Sequence, residues 1–121
     1  MAVTISELIG RREEILNKKN ETYDIETSIG TLTVKQPSMA LAVEIAQMEN
    51  SMSDKYLIFK TCIDPNLGDK ELQDAYQVMN PPDIVEKLFK VGEIRKISNA
   101  IMDTAGFGKN ITPKLHEKVK N

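Results

Sequence analysis

The stretch NPPDIVEKLFKVGEIRKISNAIMDTAGF, residues 80–107, has the clearest helix start, the clearest helix stop and the longest apolar stripe in the chain. Asn80 can cap a helix with its side-chain oxygen, and the two prolines after it suit a first turn, where no backbone N–H needs an intrahelical partner. One apolar face follows, formed by Ile84, Val85, Leu88 and Phe89. These signals predict a helix that begins just after Asn80.

A second helix is predicted in the same stretch, after a break around residues 90–92. Gly92 interrupts the apolar pattern there, and glycine weakens a helix interior. Beyond it, one stripe recurs at helical spacing, formed by Ile94, Ile97, Ile101 and Ala105. Gly106 is placed to adopt a left-handed conformation after the last turn, and Phe107 would then complete a Schellman ending.

The length and composition predict a single globular domain. A chain of 121 residues is long enough for a hydrophobic core without metal or disulfide bonds. Its net charge of −2 does not fit a general nucleic-acid binder, and no apolar run reaches membrane-spanning length. Cys62 is the single cysteine, and charged residues appear too early for a signal peptide. We therefore expect a protein of a reducing cytosol.

The N-terminus predicts an amphipathic helix at about residues 5–19. Thr4 and Glu7 have the spacing of a capping box. The apolar stripe after it consists of Ile5, Leu8, Ile9, Ile15 and Leu16. Arg12 lies within this stripe; we favour a stem on apolar surface with its charge in water, and the alternative is an ion pair inside a partner interface. A helix this short and charged needs a surface to dock on.

Residues 21–36 change to a period of two, which predicts a β-hairpin at about residues 22–35. Tyr23 and Ile25 alternate with polar residues on one side of the turn, and Leu32 and Val34 do so on the other. Two strands alone are marginally stable in water. The hairpin must therefore pack on the helices, pair with another copy, or accept a strand from a partner.

The middle of the chain predicts three further helices. The first spans residues 39–52, capped by Ser38, with an apolar stripe of Leu41, Ile45, Met48 and Met52. Residues 56–63 are apolar nearly all round, so this helix is predicted to be the most buried. A turn cluster at residues 64–68 precedes a short helix at about residues 69–78.

These elements together predict a mainly α protein of the α+β class, with five or six short helices and one small β-hairpin near the N-terminus. We expect residues 1–107 to form a single globular helical domain. Residues 108–121 have few apolar side chains and an excess of lysine, and they predict a flexible polar tail. Such lysines are more often solubilising than nucleic-acid binding.

No catalytic or metal-binding pattern is visible in the sequence. His116 is the only histidine and lies in the polar tail, and Cys62 follows apolar residues, where cysteine behaves as a small hydrophobe. Residues 64–69 resemble a calcium loop only faintly, because the glycine is one position early and Ala75 replaces the bidentate glutamate. We therefore predict no enzyme activity, no cofactor and no metal.

A resemblance to a known family rests on the order and spacing of several short motifs. They are TISELI at residues 4–9, TLTVKQPS at residues 31–38 before a Leu/Ile helix, LF at residues 88–89, VGEI at residues 91–94 and AGF at residues 105–107. In this order the chain resembles the XkdN-like tail assembly chaperones of tailed phages and prophages of Gram-positive bacteria. The resemblance covers about residues 4–107 and carries no catalytic residues over.

The resemblance implies a chaperone that binds the tape measure protein, keeps it soluble, recruits tail tube protein and leaves as the tube polymerises. It implies the bacterial host cytoplasm, absence from the mature virion and a possible homo-oligomer. The alternatives are a structural tail component retained in the virion and a small helical DNA-binding regulator. The regulator would need a basic recognition helix, and residues 94–105 offer only Arg95 and Lys96.

Two surfaces are candidates for partner binding. The first is the hairpin edge, with Tyr23, Ile25, Leu32 and Val34. The second is a methionine face, with Met39, Met48 and Met52. Methionine at helical spacing is usually core filler, and the alternative is an adaptable surface that grips varied apolar helices.

Overall fold

The computed structural model describes residues 2–108, in which short helices surround a small antiparallel sheet. The elements in chain order are α1 (Ile5–Gly10), α2 (Arg12–Lys18), β1 (Thr22–Thr27), β2 (Gly30–Lys35), α3 (Met39–Ala46), α4 (Asn50–Thr61), β3 (Cys62–Asp64), α5 (Lys70–Ala75), a 3₁₀ helix (Pro81–Asp83), α6 (Ile84–Leu88) and α7 (Val91–Thr104). The predicted mainly α, α+β class is confirmed. No helix among the described residues is long and apolar enough to cross a membrane.

The predicted helix start at Asn80 is only partly confirmed. The Asn80 side chain makes no capping hydrogen bond, the two prolines belong to the 3₁₀ helix Pro81–Asp83, and the α-helix begins at Ile84.

The end of α7 follows its local signals closely. Gly106 has φ +91°, its N–H donates to the Asp103 carbonyl at 3.0 Å, and the Phe107 N–H donates to the Met102 carbonyl at 3.2 Å. These two bonds are those of a Schellman ending, as predicted. The predicted break lies slightly earlier, at residues 89–90, where the backbone is extended, and Gly92 belongs to the first turn of α7.

The sheet has three strands, so the prediction of a lone hairpin was incomplete. β1 pairs antiparallel with β2, as expected for a hairpin, in a register that places Ile25 opposite Leu32. β3 then pairs with the other side of β2, with Cys62 opposite Val34. A strand of three residues directly after a helix is too short to show a period of two. Its pairing makes β2 the central strand.

The predicted helices at residues 39–52 and 56–63 have the wrong boundaries. α3 ends at Ala46, and α4 begins at Asn50 and continues through Ser53 to Thr61. Ser53 lies inside α4, where it is 7% exposed and its hydroxyl donates to the Asn50 carbonyl at 3.0 Å. A small polar residue can therefore occupy the buried face of α4, and the last apolar residues of the predicted helix belong to β3.

The core lies between the sheet and the helices of the second half of the chain. Its buried apolar side chains are Leu32, Val34, Leu57, Ile58, Cys62, Leu67, Ile84, Val85, Phe89, Ile94, Ile97 and Ile101. α4 packs against α7 and α6 at the centre of this arrangement. The hairpin packs on α7 at its turn, where the Ser28 hydroxyl donates to the Glu93 carboxylate at 2.6 Å.

Charged side chains also join α4 to the second half of the chain. Lys55 donates to Asp83 at 2.5 Å and to Glu86 at 3.1 Å. These two acceptors raise the pKa of Lys55 against the opposing effect of its burial, the bond to Asp83 contributing most. Asp54 accepts hydrogen bonds from Arg95 at 2.7 Å and from Ser98 at 2.8 Å. α4 is thus held by apolar packing on one side and by ion pairs at its N-terminal half.

Candidate functional site

α3 has the sequence MALAVEIA, in which every residue except Glu44 is apolar, and yet it has no buried residue. Met39 is 82% exposed and Val43 is 51% exposed. A helix that is apolar all round normally lies inside a protein or against a partner. Contiguous apolar surface of this kind marks interaction sites on soluble proteins. α3 is therefore the centre of a candidate functional surface.

A groove of about 1000 Å³ lies beside the start of α3. We use the term groove for this depression, which is bordered by the open end of the hairpin, the start of α3 and the residues after α7. Its apolar lining includes Met39, Leu41, Ile63 and Phe107. Ile63 is 46% exposed and Phe107 is 61% exposed, so these side chains face solvent. The groove has the concave, apolar character of a site for another apolar segment.

The rim of the groove is mostly cationic. Lys19, Lys35 and Lys60 line it together with one carboxylate, Glu44. Glu44 accepts a hydrogen bond from the Tyr56 hydroxyl at 3.0 Å, and this bond raises the pKa of Tyr56. The bond joins α3 to α4 and fixes Glu44 at the edge of the groove. A segment with acidic residues beside its apolar stripe would complement this rim.

The hairpin residues proposed for partner binding differ in their accessibility. Leu32 is 3% exposed and Val34 is fully buried, because β2 is the central strand and its apolar face packs on the core. Tyr23 and Ile25, opposite them on β1, are half-buried and pack against the same core. These four side chains thus pack within the chain's own fold. Because β1 is an edge strand, the part of the hairpin that a partner could still pair with is the outer backbone edge of β1.

The three methionines proposed as one face lie on different parts of the structure. Met39 lines the groove, Met48 is half-buried in the connection between α3 and α4, and Met52 is 47% exposed on α4. Only Met39 of the three belongs to the groove. The sequence interpretation missed Ile63 and Phe107, which come from distant positions, although the lack of a polar face in MALAVEIA could have indicated α3 as a whole.

A second exposed apolar surface lies on residues 5–18, which comprise α1 and α2 and which we call the arm. The predicted capping of this helix is confirmed, since the Glu7 N–H donates to the Thr4 hydroxyl oxygen at 3.1 Å. The single predicted helix is interrupted at Arg11, where φ is −104° and ψ is 14°. Neither α1 nor α2 has a buried residue. The guanidinium of Arg12 donates to the Ile9 carbonyl at 3.0 Å.

The groups that could carry other chemistry have structural roles. Burial raises the pKa of the Cys62 thiol, which contacts the Pro65 carbonyl at 3.2 Å, and a thiol in that state is a poor nucleophile. In the loop that faintly resembles a calcium site, Asn66 accepts from the Gly68 N–H and Asp69 caps α5 at 3.0 Å. No group of metal-binding side chains occurs within residues 2–108. His116 and the predicted tail from residue 109 lie outside the described residues.

The fold is that of a small α+β protein with an exposed apolar helix beside an open groove. Comparison with known families identifies it more closely. The family described as phage XkdN-like tail assembly chaperone protein matches residues 19–120. The chain therefore belongs to the XkdN-like phage tail assembly chaperones, as the resemblance predicted, and this is a family of assembly proteins and not a known class of enzyme. The predicted extent of the resemblance is corrected, because the match leaves out the motif at residues 4–9 and continues past residue 107. No curated protein and no solved structure matches the chain.

Proposed function

We propose that this chaperone binds the tape measure protein of its phage, keeps that long chain soluble and promotes assembly of the tail tube around it. The observation that supports the proposal most is α3, an apolar helix without a buried residue beside an open groove. Exposed apolar surface of this kind is unfavourable in water until a partner covers it. A chaperone for a long, apolar, helical client requires such a surface.

The apolar face of one client helix would lie in the groove, against Met39, Leu41 and Phe107. This arrangement is the helix-in-groove mode of peptide recognition. The flexible side chain of methionine adapts to different apolar side chains, which suits a client that presents many non-identical segments. Lys19 and Lys35 at the rim favour client helices that carry acidic residues beside their apolar stripe.

Each contact should be weak, because the chaperone has to leave when the tube polymerises. Many copies on one long client would still hold it, since neighbouring weak contacts add up through effective concentration. The tail tube protein would then replace the chaperone along the client. In this proposal the chaperone acts in the cytoplasm of the bacterial host, and mature virions contain little of it.

Co-expression with the tape measure protein tests the proposal. The wild-type chaperone should raise the soluble fraction of that protein, and Met39→Glu should return it to the level found without chaperone, because a carboxylate in the groove opposes apolar contact. Met79→Glu is the matched control, since Met79 is 97% exposed and does not line the groove. Both methionines are highly exposed, so neither substitution should unfold the protein.

The outcomes separate the alternatives. No increase in solubility with the wild-type chain, or its stoichiometric retention in purified tails by mass spectrometry, would favour a structural tail component. If Met39→Glu solubilises the client as well as the wild type does, the client binds outside the groove. Tight, salt-dependent binding to duplex DNA would favour a regulator, although Arg95 of α7 is already hydrogen-bonded to Asp54.

A further inference from the structure

The arm presents an apolar stripe that is largely exposed, with only Ile15 half-buried. Ile5 is 77% exposed, and Ile9 and Leu16 are each 57% exposed. Within residues 2–108, every apolar side chain of the core or packed against it comes from residue 23 or later. Helices of six and seven residues are far shorter than the roughly 12–15 residues at which an isolated helix becomes even marginally stable in water. The arm therefore requires a covering surface.

We propose that the arm of one copy docks in the groove of a second copy, so that the chaperone associates with itself through two different surfaces. The arm supplies a narrow apolar stripe at helical spacing. The groove supplies a concave apolar lining that no side chain of the described residues fills. The two surfaces are therefore complementary in shape and in polarity.

One pair of opposite charges can form between the two surfaces, although the rim of the groove is mostly cationic. The stripe of the arm contains one charged residue, Arg12, and the lining of the groove contains one carboxylate, Glu44. Among residues 2–108, Arg12 forms no ion pair, and its guanidinium donates to the Ile9 carbonyl of the preceding helix, α1. Glu13, the residue after Arg12, lies beside the stripe. In the docked arm its carboxylate would lie near the lysines of the rim. The docked arm would thus place Arg12 against Glu44.

The connection between the arm and the sheet argues against docking in the same copy. Lys19 and Asn20 line the edge of the groove, so the arm leaves the body at that edge. The Asn20 N–H donates to the Asn17 carbonyl at 3.0 Å, and the side chain of Gln36 donates to the Lys18 carbonyl at 2.5 Å. Folding the arm back over its own groove would break these bonds, whereas the groove of another copy can be reached with all of them intact.

The two surfaces in contact are different, so the interface is heterologous. Two copies can exchange arms reciprocally, or successive copies can form a closed ring or an open-ended filament. An arm made of helices of 6 and 7 residues can form only a small interface, and small interfaces are typical of weak complexes. We therefore expect weak, reversible association. In one respect the inference rests on the proposed function: a docked arm would cover the groove while no client is present.

Sedimentation equilibrium of the full chain from about 1 µM to about 200 µM tests the proposal, since contacts of this size dissociate in that range. The average mass of the wild type should rise with concentration. Ile9→Glu in the arm and Met39→Glu in the groove should each remain monomeric. The controls are Asn17→Glu on the polar face of the arm and Met79→Glu outside the groove, and both should associate like the wild type.

Mixing the two defective variants identifies the surfaces directly. Ile9→Glu retains an intact groove and Met39→Glu retains an intact arm, so an equimolar mixture should form a one-to-one dimer although neither associates alone. Charge exchange sharpens the assignment further. Arg12→Glu alone should weaken association about tenfold or more, and Arg12→Glu combined with Glu44→Arg should restore most of it.

A wild type that stays monomeric over the whole range would overturn the proposal. So would association that Ile9→Glu leaves unchanged, or a mixture of defective variants that stays monomeric. A monomer in which Ile9→Glu speeds amide exchange at residues 39–42 would show docking within one copy and would also overturn it. Client solubilisation is a separate measurement, so its loss with intact self-association would contradict the proposed function and not the arm–groove contact.

Discussion

Two groups of helices in this molecule contrast in how they use apolar residues. α4, α6 and α7 have mixed compositions, and they supply most of the core, including Leu57, Ile84 and Ile101. α1, α2 and α3 have no buried residue at all. α3 is the most apolar of these helices by its sequence, and it is among the least buried. Burial therefore does not follow from the hydrophobicity of a helix alone.

The difference depends on whether the same chain supplies a matching face. α4 has a buried stripe and packs on α7, and it also has exposed polar side chains, Asn50, Ser51 and Lys60. α3 has no polar face to turn to solvent, and only part of its surface packs against α4 through residues such as Leu41 and Ile45. Apolar surface that exceeds what the fold can cover is surface for a partner. This contrast is the physical basis of both proposals above.

The same substitution in the two groups should have very different effects on stability. Ile101→Ala removes a fully buried side chain from α7 and should lower the free energy of unfolding by about 2–5 kcal/mol, because transfer and cavity terms both apply. Ile9→Ala in the arm removes a side chain that is 57% exposed and should change it by less than about 0.5 kcal/mol. Urea denaturation of monomeric protein at low concentration measures both.

A large loss of stability from Ile9→Ala under these conditions would contradict the contrast, because it would mean that the arm packs on the core of its own chain. A second contradicting result would be a steeper dependence of the unfolding free energy on urea concentration for the full chain than for the chain without the arm, since that slope scales with the surface exposed on unfolding. The contrast also predicts that a chain without residues 2–18 unfolds at nearly the same urea concentration as the full chain.

Two lysines provide the next largest expected difference. The side chain of Lys55 is 14% exposed and pairs with Asp83 and Glu86, whereas that of Lys70 is 88% exposed and pairs with Asp74. Lys55→Met should cost about 1–2 kcal/mol, which is less than for a fully buried pair because both carboxylates retain contact with water. Lys70→Met should lie within about 0.5 kcal/mol of the wild type. Equal effects of the two in urea denaturation would count against a role for Lys55 in holding α4.

The regions that the sequence predicted best are those determined by local chemistry. The Schellman ending at Gly106, the cap at Thr4 and the hairpin itself all follow from residues close to each other in sequence. Alternation also placed Leu32 and Val34 on one face of the hairpin. It could not tell whether that face is covered by helices of the same chain or by a partner, because both give the same period of two.

The regions that the sequence did not predict depend on contacts between distant residues. Gln73 is 9% exposed, and its amide donates to the Leu67 carbonyl at 2.7 Å and to the Pro81 carbonyl at 3.1 Å. Nothing in its neighbours distinguishes it from a solvent-exposed glutamine. β3 likewise exists because β2 offers it a free edge. The groove combines the hairpin, α3 and Phe107, which only the folded chain brings together.

The smallest effect concerns the hairpin turn, which joins the exposed part of the molecule to α7. The carboxylate of Glu93 accepts from the Ser28 N–H at 2.7 Å and from the Ser28 hydroxyl at 2.6 Å. The side-chain bond first, and then the backbone bond, lower the pKa of Glu93 below its ordinary value of 4.5. The ionised carboxylate is thus the form that the folded state prefers.

A carboxylate with a lowered folded-state pKa stabilises the protein fully above its unfolded-state pKa, and this contribution is lost as the pH falls through the folded-state value. Glu93→Gln should therefore have a lower urea midpoint than the wild type at pH 7, and the difference should shrink between about pH 5 and about pH 3. Glu14→Gln is the matched control, because Glu14 also has a lowered pKa, caused by Arg11, but lies in the arm. Its midpoint should equal that of the wild type at every pH, since the arm is not part of the cooperative core. A difference for Glu93→Gln that stays constant with pH would mean that the turn is held by the geometry of the hairpin and not by the charge of Glu93.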